Sequence, residues 1–568
     1  MYVLEMMSIT HVPTRVKVLE LLHLMIKSDP TTLQTFVLVG ILPEIIRISM
    51  GSNDLRVKSR TAALAHHVCK SKNDGNTSMR TFIACGGLPM LVDLMRTTYK
   101  APETIASGNK ESEQQRTEES KEHVLPTHTS RTMEDNSDDE GDEDEEEEDE
   151  EDEEDEEDEE ENVDPRPIVR LAIDSARMVL DFRASNVNVH KNEMCRKFAQ
   201  AHMLHALTDT MGAIVESAHE NTKEWAYVQH LASMLHTFCY HGDIKVKAHV
   251  VESRVMRQVL KVIDTCCMTT KDATVGLVES QNAAVLVGQL VKCISHLSMV
   301  MSPAVINALQ KQNVIPVLVS FLPKESISTS NRLQNTAMPA IYHLCRLSPA
   351  RQEQAAVAGI VPRLKNLFGT AMKQMSLEVF CNLARASDTC RERLGEHGGV
   401  DVYLEYMADR NWSRQCLTSL AAWLMKDVVD ATKESVVEKE LLRPNALETL
   451  ISLFKREKTE SPEFEAILKP MLDILGKSVL LNQALGRSPV FIDEISTRLN
   501  SPNNVNNVIR LSLLKMLKLV MEQHSELKIL ILRFDLYPTI QTLAKDSEMI
   551  AVSFLASQLL ELANASLF

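Results

Sequence analysis

Aromatic residues make up only 4% of this 568-residue chain, and glycine and proline are also scarce, at 18 and 20 copies. That scarcity excludes a turn-rich all-β protein, whose tight turns draw on glycine and proline throughout. No apolar run approaches the roughly 18 residues that a membrane-spanning helix needs, and no basic, then apolar, then small-residue leader opens the chain. The expectation is a chain that is neither secreted nor membrane-spanning. The short motifs of catalysis are missing too: there is no G-x-G-x-x-G or G-x-x-x-x-G-K-[ST], no H-R-D or D-F-G, no G-x-S-x-G and no H-E-x-x-H. Asp181-Phe182-Arg183 imitates the kinase magnesium motif but lacks its glycine and every companion. The 11 cysteines are odd in number and scattered through apolar stretches, which predicts free, mostly buried thiols in a reducing compartment. His236-Thr237-Phe238-Cys239-Tyr240-His241 and Cys293-Ile294-Ser295-His296 each hold two ligand types, yet neither has a second pair at zinc spacing. No metal and no other cofactor is expected.

What the chain does have is a repeat. An apolar segment, a small or glycine-containing turn and a second apolar segment recur as Val39-Gly40-Ile41-Leu42-Pro43, Cys85-Gly86-Gly87-Leu88-Pro89, Asn313-Val314-Ile315-Pro316 and Ala358-Gly359-Ile360-Val361-Pro362. Weaker copies follow at His397-Gly398-Gly399-Val400-Asp401, Pro444-Asn445-Ala446-Leu447-Glu448, Pro489-Val490-Phe491-Ile492-Asp493 and Phe534-Asp535-Leu536-Tyr537-Pro538. At the proline-equivalent position the steps are 46 residues from 43 to 89, 46 from 316 to 362, then 39, 47, 45 and 45 onward to 538. Glycine ends one helix in a left-handed turn, and proline at a first helical position gives up an N–H that has no helical partner anyway. Two or three helices cannot bury an apolar face alone, so the copies must stack. The period predicts an all-α, armadillo/HEAT-like right-handed helical solenoid.

Charge is distributed unevenly. The chain carries 61 Lys and Arg against 79 Asp and Glu, but 23 of the 24 residues from Asp138 to Glu161 are acidic. Without that tract the remainder has 61 basic against 56 acidic residues, a net +5. Residues 101–167 therefore read as a disordered acidic insertion, because few apolar side chains and mutual repulsion oppose collapse. It separates N-terminal repeats over 1–100 from repeats over 168–568 that continue the same solenoid. The tract is either a solvated spacer or an electrostatic docking arm for a basic surface. Ser137, followed by Asp138-Asp139-Glu140, is a candidate for phosphorylation by an acid-directed kinase; added charge there would change little in so acidic a segment.

Aligning the last helix of each repeat brings His67, His296, His343, Asn382 and Trp423 into register, the last four separated by 47, 39 and 41 residues. In armadillo proteins this position often carries an Asn that bonds the backbone of an extended peptide, and Asn382 alone matches it. Three residues further stand Lys70, Arg346, Arg385 and Lys426, with Lys518 in the same register. These cations either complement helix C-termini or form a basic stripe beside the ladder. If the stripe binds, the acidic tract is its most obvious ligand within the chain.

Arg351-Gln352-Glu353-Gln354-Ala355-Ala356, Lys373-Gln374, Arg391-Glu392-Arg393-Leu394, His397-Gly398-Gly399-Val400-Asp401-Val402-Tyr403-Leu404 and Asn411-Trp412-Ser413 closely resemble the C-terminal armadillo region of septation-type Ser/Thr protein kinases. These include the plant mitogen-activated protein kinase kinase kinase epsilon and the fungal septation initiation network kinases. Leu38 to Pro43, Phe82 to Pro89 and Leu171-Ala172-Ile173-Asp174 look similar to earlier blocks, so the resemblance covers nearly all of the chain outside the insertion. It implies a non-catalytic scaffold or regulatory region that binds proteins and localises or controls such a kinase, with a small GTPase, a scaffold or a downstream kinase as partners. A cytoplasmic location, at the spindle pole or division site, goes with that reading. No nucleic-acid partner is expected. A nuclear-transport adaptor or histone-binding protein is the alternative. No kinase domain is present, so the chain is read as a fragment of a longer kinase or as a separate protein retaining the regulatory half.

Overall fold

The computed structural model describes residues 2–8, 10–29, 31–71, 77–97, 163–181, 187–217, 224–271, 276–325, 332–427, 435–501, 506–545 and 550–567. Most of the acidic insertion, with Ser137, lies outside them. Every regular element among the described residues is a helix, grouped into two compact units, residues 1–234 and 235–568. The division falls inside the Glu224–His241 helix rather than at the insertion.

The turns follow the recurrent motif. Gly40, Gly86, Gly359 and Gly398 have φ of 82°, 96°, 78° and 65°, and Asn313 and Asp535 take the same left-handed place at 56° and 47°. Each immediately precedes the next helix; Gly40 alone separates its two helices, while Cys85, Gln312, Ala358, His397 or Phe534 stands before the others, so the chain reverses within one or two residues. Pro43, Pro89, Pro316 and Pro362 are the third helical residue, not the first, yet still within the turn whose N–H groups lack helical acceptors. The copies at Pro444 and Pro489 differ: proline is the first helical residue there and extended Arg443 and Ser488 precede it. A Cβ on Gly359 would meet nothing within 4 Å, so strain alone opposes substitution. Gly359→Ala is expected to destabilise by about 1 kcal/mol, and Gly359→Asn by clearly less, because Asn visits the left-handed region more readily. Urea unfolding of the two variants side by side measures the difference.

Serine supplies a second punctuation. Ser348, Ser387, Ser435 and Ser478 each cap the first helix of a repeat, their Oγ atoms accepting from the N–H three residues on at 3.4, 3.3, 3.2 and 3.0 Å. Clamps then tie this helix to the last helix of the repeat before. Arg351 donates to the Leu344 carbonyl at 2.8 Å, Gln352 to Cys345 at 2.6 Å and Arg391 to Ala384 at 3.3 Å, each reaching back to carbonyls left open at a helix end.

The third helices are numbered here in chain order: α1 (Val12–Ser28), α2 (Leu55–Lys70), α3 (Arg166–Asp181), α4 (Glu224–His241), α5 (Leu277–Ser298), α6 (Arg332–Cys345), α7 (Lys373–Ala386), α8 (Ser413–Asp427), α9 (Pro462–Lys477), α10 (Asn507–Gln523) and α11 (Ile550–Leu567). In the first unit α1 packs on α2 and α2 on α3. The Thr210 Oγ1 donates to the Met95 carbonyl at 3.1 Å, so chain from either side of the insertion closes into one packed unit. Helix α3 starts at Arg166, just before the expected Ile168. In the second unit the row runs α5, α6, α7, α8, α9, α10, α11, each packed on the next. Its core is built from Phe380, Tyr403, Trp423, Phe454, Phe464 and Phe491, all nearly inaccessible. All 11 cysteines are free thiols, most of them buried.

Candidate partner-binding surface

One side of each third helix is covered by its repeat, and the other forms the inner face on which the ladder was expected. His67 is half-buried on α2, its ring 4.9 Å from that of His23 on α1, and Lys70 is exposed in the last turn. In the second unit His296 lies 5.0 Å from both His236 and Tyr240 of α4. His343 is half-buried on α6 beside Tyr342, whose hydroxyl donates to Glu378 of α7 at 3.0 Å. Arg346 follows α6, exposed and 5.9 Å from the Tyr342 ring centroid. Asn382 is half-buried, and its Oδ1 accepts from Arg385 at 2.6 Å, which joins one ladder residue to its neighbouring cation. Lys426 is exposed at the end of α8, whereas Lys518 donates to Gln558 at 2.9 Å and lies 3.8 Å from Glu522.

Trp423 does not line this face. It is 2% exposed and packs edge-on against Tyr403, ring centroids 6.5 Å apart. The register explains the difference: a half-buried residue followed by two buried ones recurs at His67, His296, His343 and Asn382, and on α8 that pattern falls at Ala422-Trp423-Leu424, so the residue matching Asn382 is Ala422. Counting 41 residues instead of 40 rotates the position by about 100° into the core.

Burial holds the ring nitrogens of His23, His67, His236, His296 and His343 below the usual imidazole range, with neighbouring cations as the second contribution for His23, Arg60 foremost, and for His296 and His343. For His67 and His236 the next contribution is another imidazole, His23 and His296 respectively. The unfolded chain therefore takes up protons first as pH falls. Stability from these groups is complete above about 6.5, the unfolded value, and is lost as pH drops through it. Urea midpoints are expected to fall between neutral pH and about pH 5.5, and less so in His236→Gln/His296→Gln.

A larger feature was not legible from the ladder. Residues of α8, α9 and α10, with Leu555 of α11, line a cleft of about 1260 Å³. Arg414, Lys469, Lys515 and Lys518 border it, as do Glu465, Asp473 and Glu522. Pro470 lies in the middle of α9 and lines the same cleft as Ala466. Having no N–H, it leaves the Ala466 carbonyl without its helical donor. Among the described residues no group of three or more His, Cys, Asp or Glu side chains could hold a metal ion, and no single helix is long and apolar enough to cross a membrane.

Three helices per repeat, joined by left-handed turns and stacked through their third helices, define an armadillo-type repeat protein. The chain is 34% identical over 266 residues to MAP3K epsilon protein kinase 1 of Brassica napus, covering 45% of this chain and 19% of that protein. It is 24% identical over 388 residues to cytokinesis protein sepH of Aspergillus niger, covering 67% of this chain and 27% of that protein. The similarity to septation-type kinases is thus established, over less of the chain than the near-complete extent the motifs suggest. The chain spans about a fifth to a quarter of the length of these curated relatives. No family model matches it. Among solved structures, one concerned with a phosphorylation switch in the interaction between cadherin and beta-catenin aligns over 99% of this chain and 100% of that one, at 10% identity and a TM-score of 0.41. A computationally designed armadillo repeat protein for modular peptide recognition aligns over 62% of this chain and 99% of its own, at 12% identity and a TM-score of 0.33.

Proposed function

We propose that this chain is a non-catalytic scaffold or regulatory region that binds protein partners on the inner face of its third helices and thereby localises or controls a Ser/Thr kinase of cytokinesis or septation. The observation that carries the reading is the similarity, over 266 and 388 residues, to MAP3K epsilon and sepH proteins in a chain that has none of the kinase motifs. The armadillo-type architecture supports it, since stacked third helices offer an extended surface rather than one pocket. Small GTPases, scaffolds and downstream kinases of such a pathway are the partners it would take, in the cytoplasm at a spindle pole or division site. Burial of Trp423 leaves the transport-adaptor alternative without its tryptophan.

Affinity capture from dividing cells, together with imaging of a fluorescent fusion, tests the reading. Recovery of septation-pathway kinases or their GTPases, with signal at the division site, is the expected result. Recovery of histones or transport factors in their place, with nuclear signal, overturns it.

A further inference from the structure

We infer that Cys381 of α7 and Cys416 of α8 form a redox-responsive pair, which a peroxide oxidant converts into a disulfide joining these two third helices. Such a bridge is independent of the proposed function, and it fixes the helix that carries Asn382.

Placement brings the two thiols together. Helices α7 and α8 pack directly on one another, and the Ser419 Oγ of α8 lies 2.9 Å from the carbonyl oxygen of Cys381 itself. Cys416 stands three residues before Ser419, about one helical turn away on the same face, so it meets α7 beside the same residue. The two side chains share a hydrogen bond between their sulfurs. Two thiols already in contact across packed helices need little backbone movement to reach bonding distance.

The two sulfurs are also chemically unequal. Donation from the Cys416 S–H, with the Ser419 hydroxyl and the Arg385 charge adding to it, holds the Cys381 thiol below its usual range despite burial. Cys416, the donor and itself buried, is pushed well above that range. Burial pushes the thiols of Cys69, Cys266 and Cys345 up to about 12. Because the thiolate is the nucleophile, Cys381 reacts first.

Its sulfur attacks one oxygen of hydrogen peroxide and the O–O bond breaks. The departing hydroxide leaves as water with the Cys381 proton, and Cys381 becomes a sulfenic acid. The Cys416 sulfur then attacks the Cys381 sulfur, the S–O bond breaks, and a second hydroxide leaves as water with the Cys416 proton. Two thiols have lost two electrons and two protons, and one peroxide has become two waters. Cys381 is 1% exposed and Cys416 is inaccessible, so entry depends on local opening. Cys416 is the fourth residue of α8, in the terminal turn where a helix opens most readily. With the second sulfur already adjacent, the sulfenic acid condenses before another peroxide arrives.

The test treats the full chain with hydrogen peroxide, caps remaining thiols with iodoacetamide in urea, and digests with trypsin without reductant. Residues 374–385 are expected linked to residues 415–426, each peptide holding a single cysteine, and the link should vanish in dithiothreitol. Two of the 11 thiols should escape alkylation. Cys416→Ala, with helicity checked by circular dichroism, should abolish the link and leave a sulfenic acid on Cys381, trapped by dimedone added during denaturation. Cys381→Ala should give no such adduct on Cys416, and Cys390→Ala should leave the link intact. Amide hydrogen exchange in α7 and α8 is expected to slow several-fold in the bridged chain and to recover on reduction. Peroxide that links other cysteines first, or carries Cys381 to a sulfinic acid without the link, overturns the inference. A link that speeds exchange in α7 and α8 overturns it too, since the pair would then close only by disrupting the fold.

Discussion

Arg498→Ala is expected to lower the unfolding free energy by about 3 to 5 kcal/mol, because it breaks a buried charge network at one partner. The side chain is 5% exposed, and its guanidinium lies 4.1 Å from the Phe464 ring centroid and 5.3 Å from that of Phe454. Its nitrogens donate to the carbonyls of Phe454 at 3.0 Å and Glu457 at 2.9 Å, to the Thr459 hydroxyl at 3.0 Å and to Glu494 at 2.8 Å. One planar fork thus closes the end of the Pro444–Arg456 helix, holds the loop after it and spans to the next repeat. Removing it strands the carbonyls and leaves the Glu494 charge unanswered, and both penalties exceed the modest net worth of an ordinary hydrogen bond. Burial also lowers the affinity of this guanidinium for its proton, though not enough to neutralise so strong a base. Arg498→Lys separates charge from geometry. A lysine ammonium keeps the charge but cannot reach four acceptors in two directions, so it is expected to recover less than half of the loss. Stacked repeats couple mainly to their neighbours, so hydrogen exchange should accelerate around residues 444–500 before the rest of the second unit. Unchanged exchange there in Arg498→Ala would sink the argument.

The turns were legible because they are local. A left-handed residue is most readily glycine or one of a few polar residues, so Gly40, Gly86, Asn313, Gly359, Gly398 and Asp535 show in the sequence at six of the turns, while those before Pro444 and Pro489 are marked by proline instead. The helix class was equally open to reading, since apolar spacing has to follow the helical period. Other features stayed hidden because they depend on neighbours. Serines are common, and nothing in the sequence distinguishes Ser348 or Ser478 as a cap until the helix it opens is known. The clamps of Arg351, Arg391 and Arg498 run to carbonyls, which have no side-chain signature. The cleft needs three helices from separate repeats, and its cations at Arg414, Lys469 and Lys515 stand outside the spacing followed for the ladder. Pro470 was a visible signal passed over, since a proline in a helix interior always frees a carbonyl somewhere.

The ladder failed at one position for a reason that can be measured. If Trp423 lined the inner face, its truncation would impair partner binding and leave stability almost untouched. The structure requires the reverse. Trp423 fills the space between Tyr403 and Gly395 near the end of the Asp388–Glu396 helix, where a Cβ would lie 3.8 Å from the indole, and Tyr403 in turn donates to the Phe380 carbonyl at 2.8 Å. Trp423→Ala is expected to destabilise the second unit by about 3 to 5 kcal/mol, through lost burial and the cavity left behind. Trp423→Phe, which keeps an aromatic ring against Tyr403, should lose much less. Ala422 is the contrasting site, one residue away and on the cleft. Ala422→Asn places the ladder amide where the register belongs, and its unfolding midpoint should stay within about 0.5 kcal/mol of the parent. Should Trp423→Ala unfold like the parent while Ala422→Asn collapses, helix α8 would be rotated from the orientation described, and the cleft assigned to it would have to be redrawn.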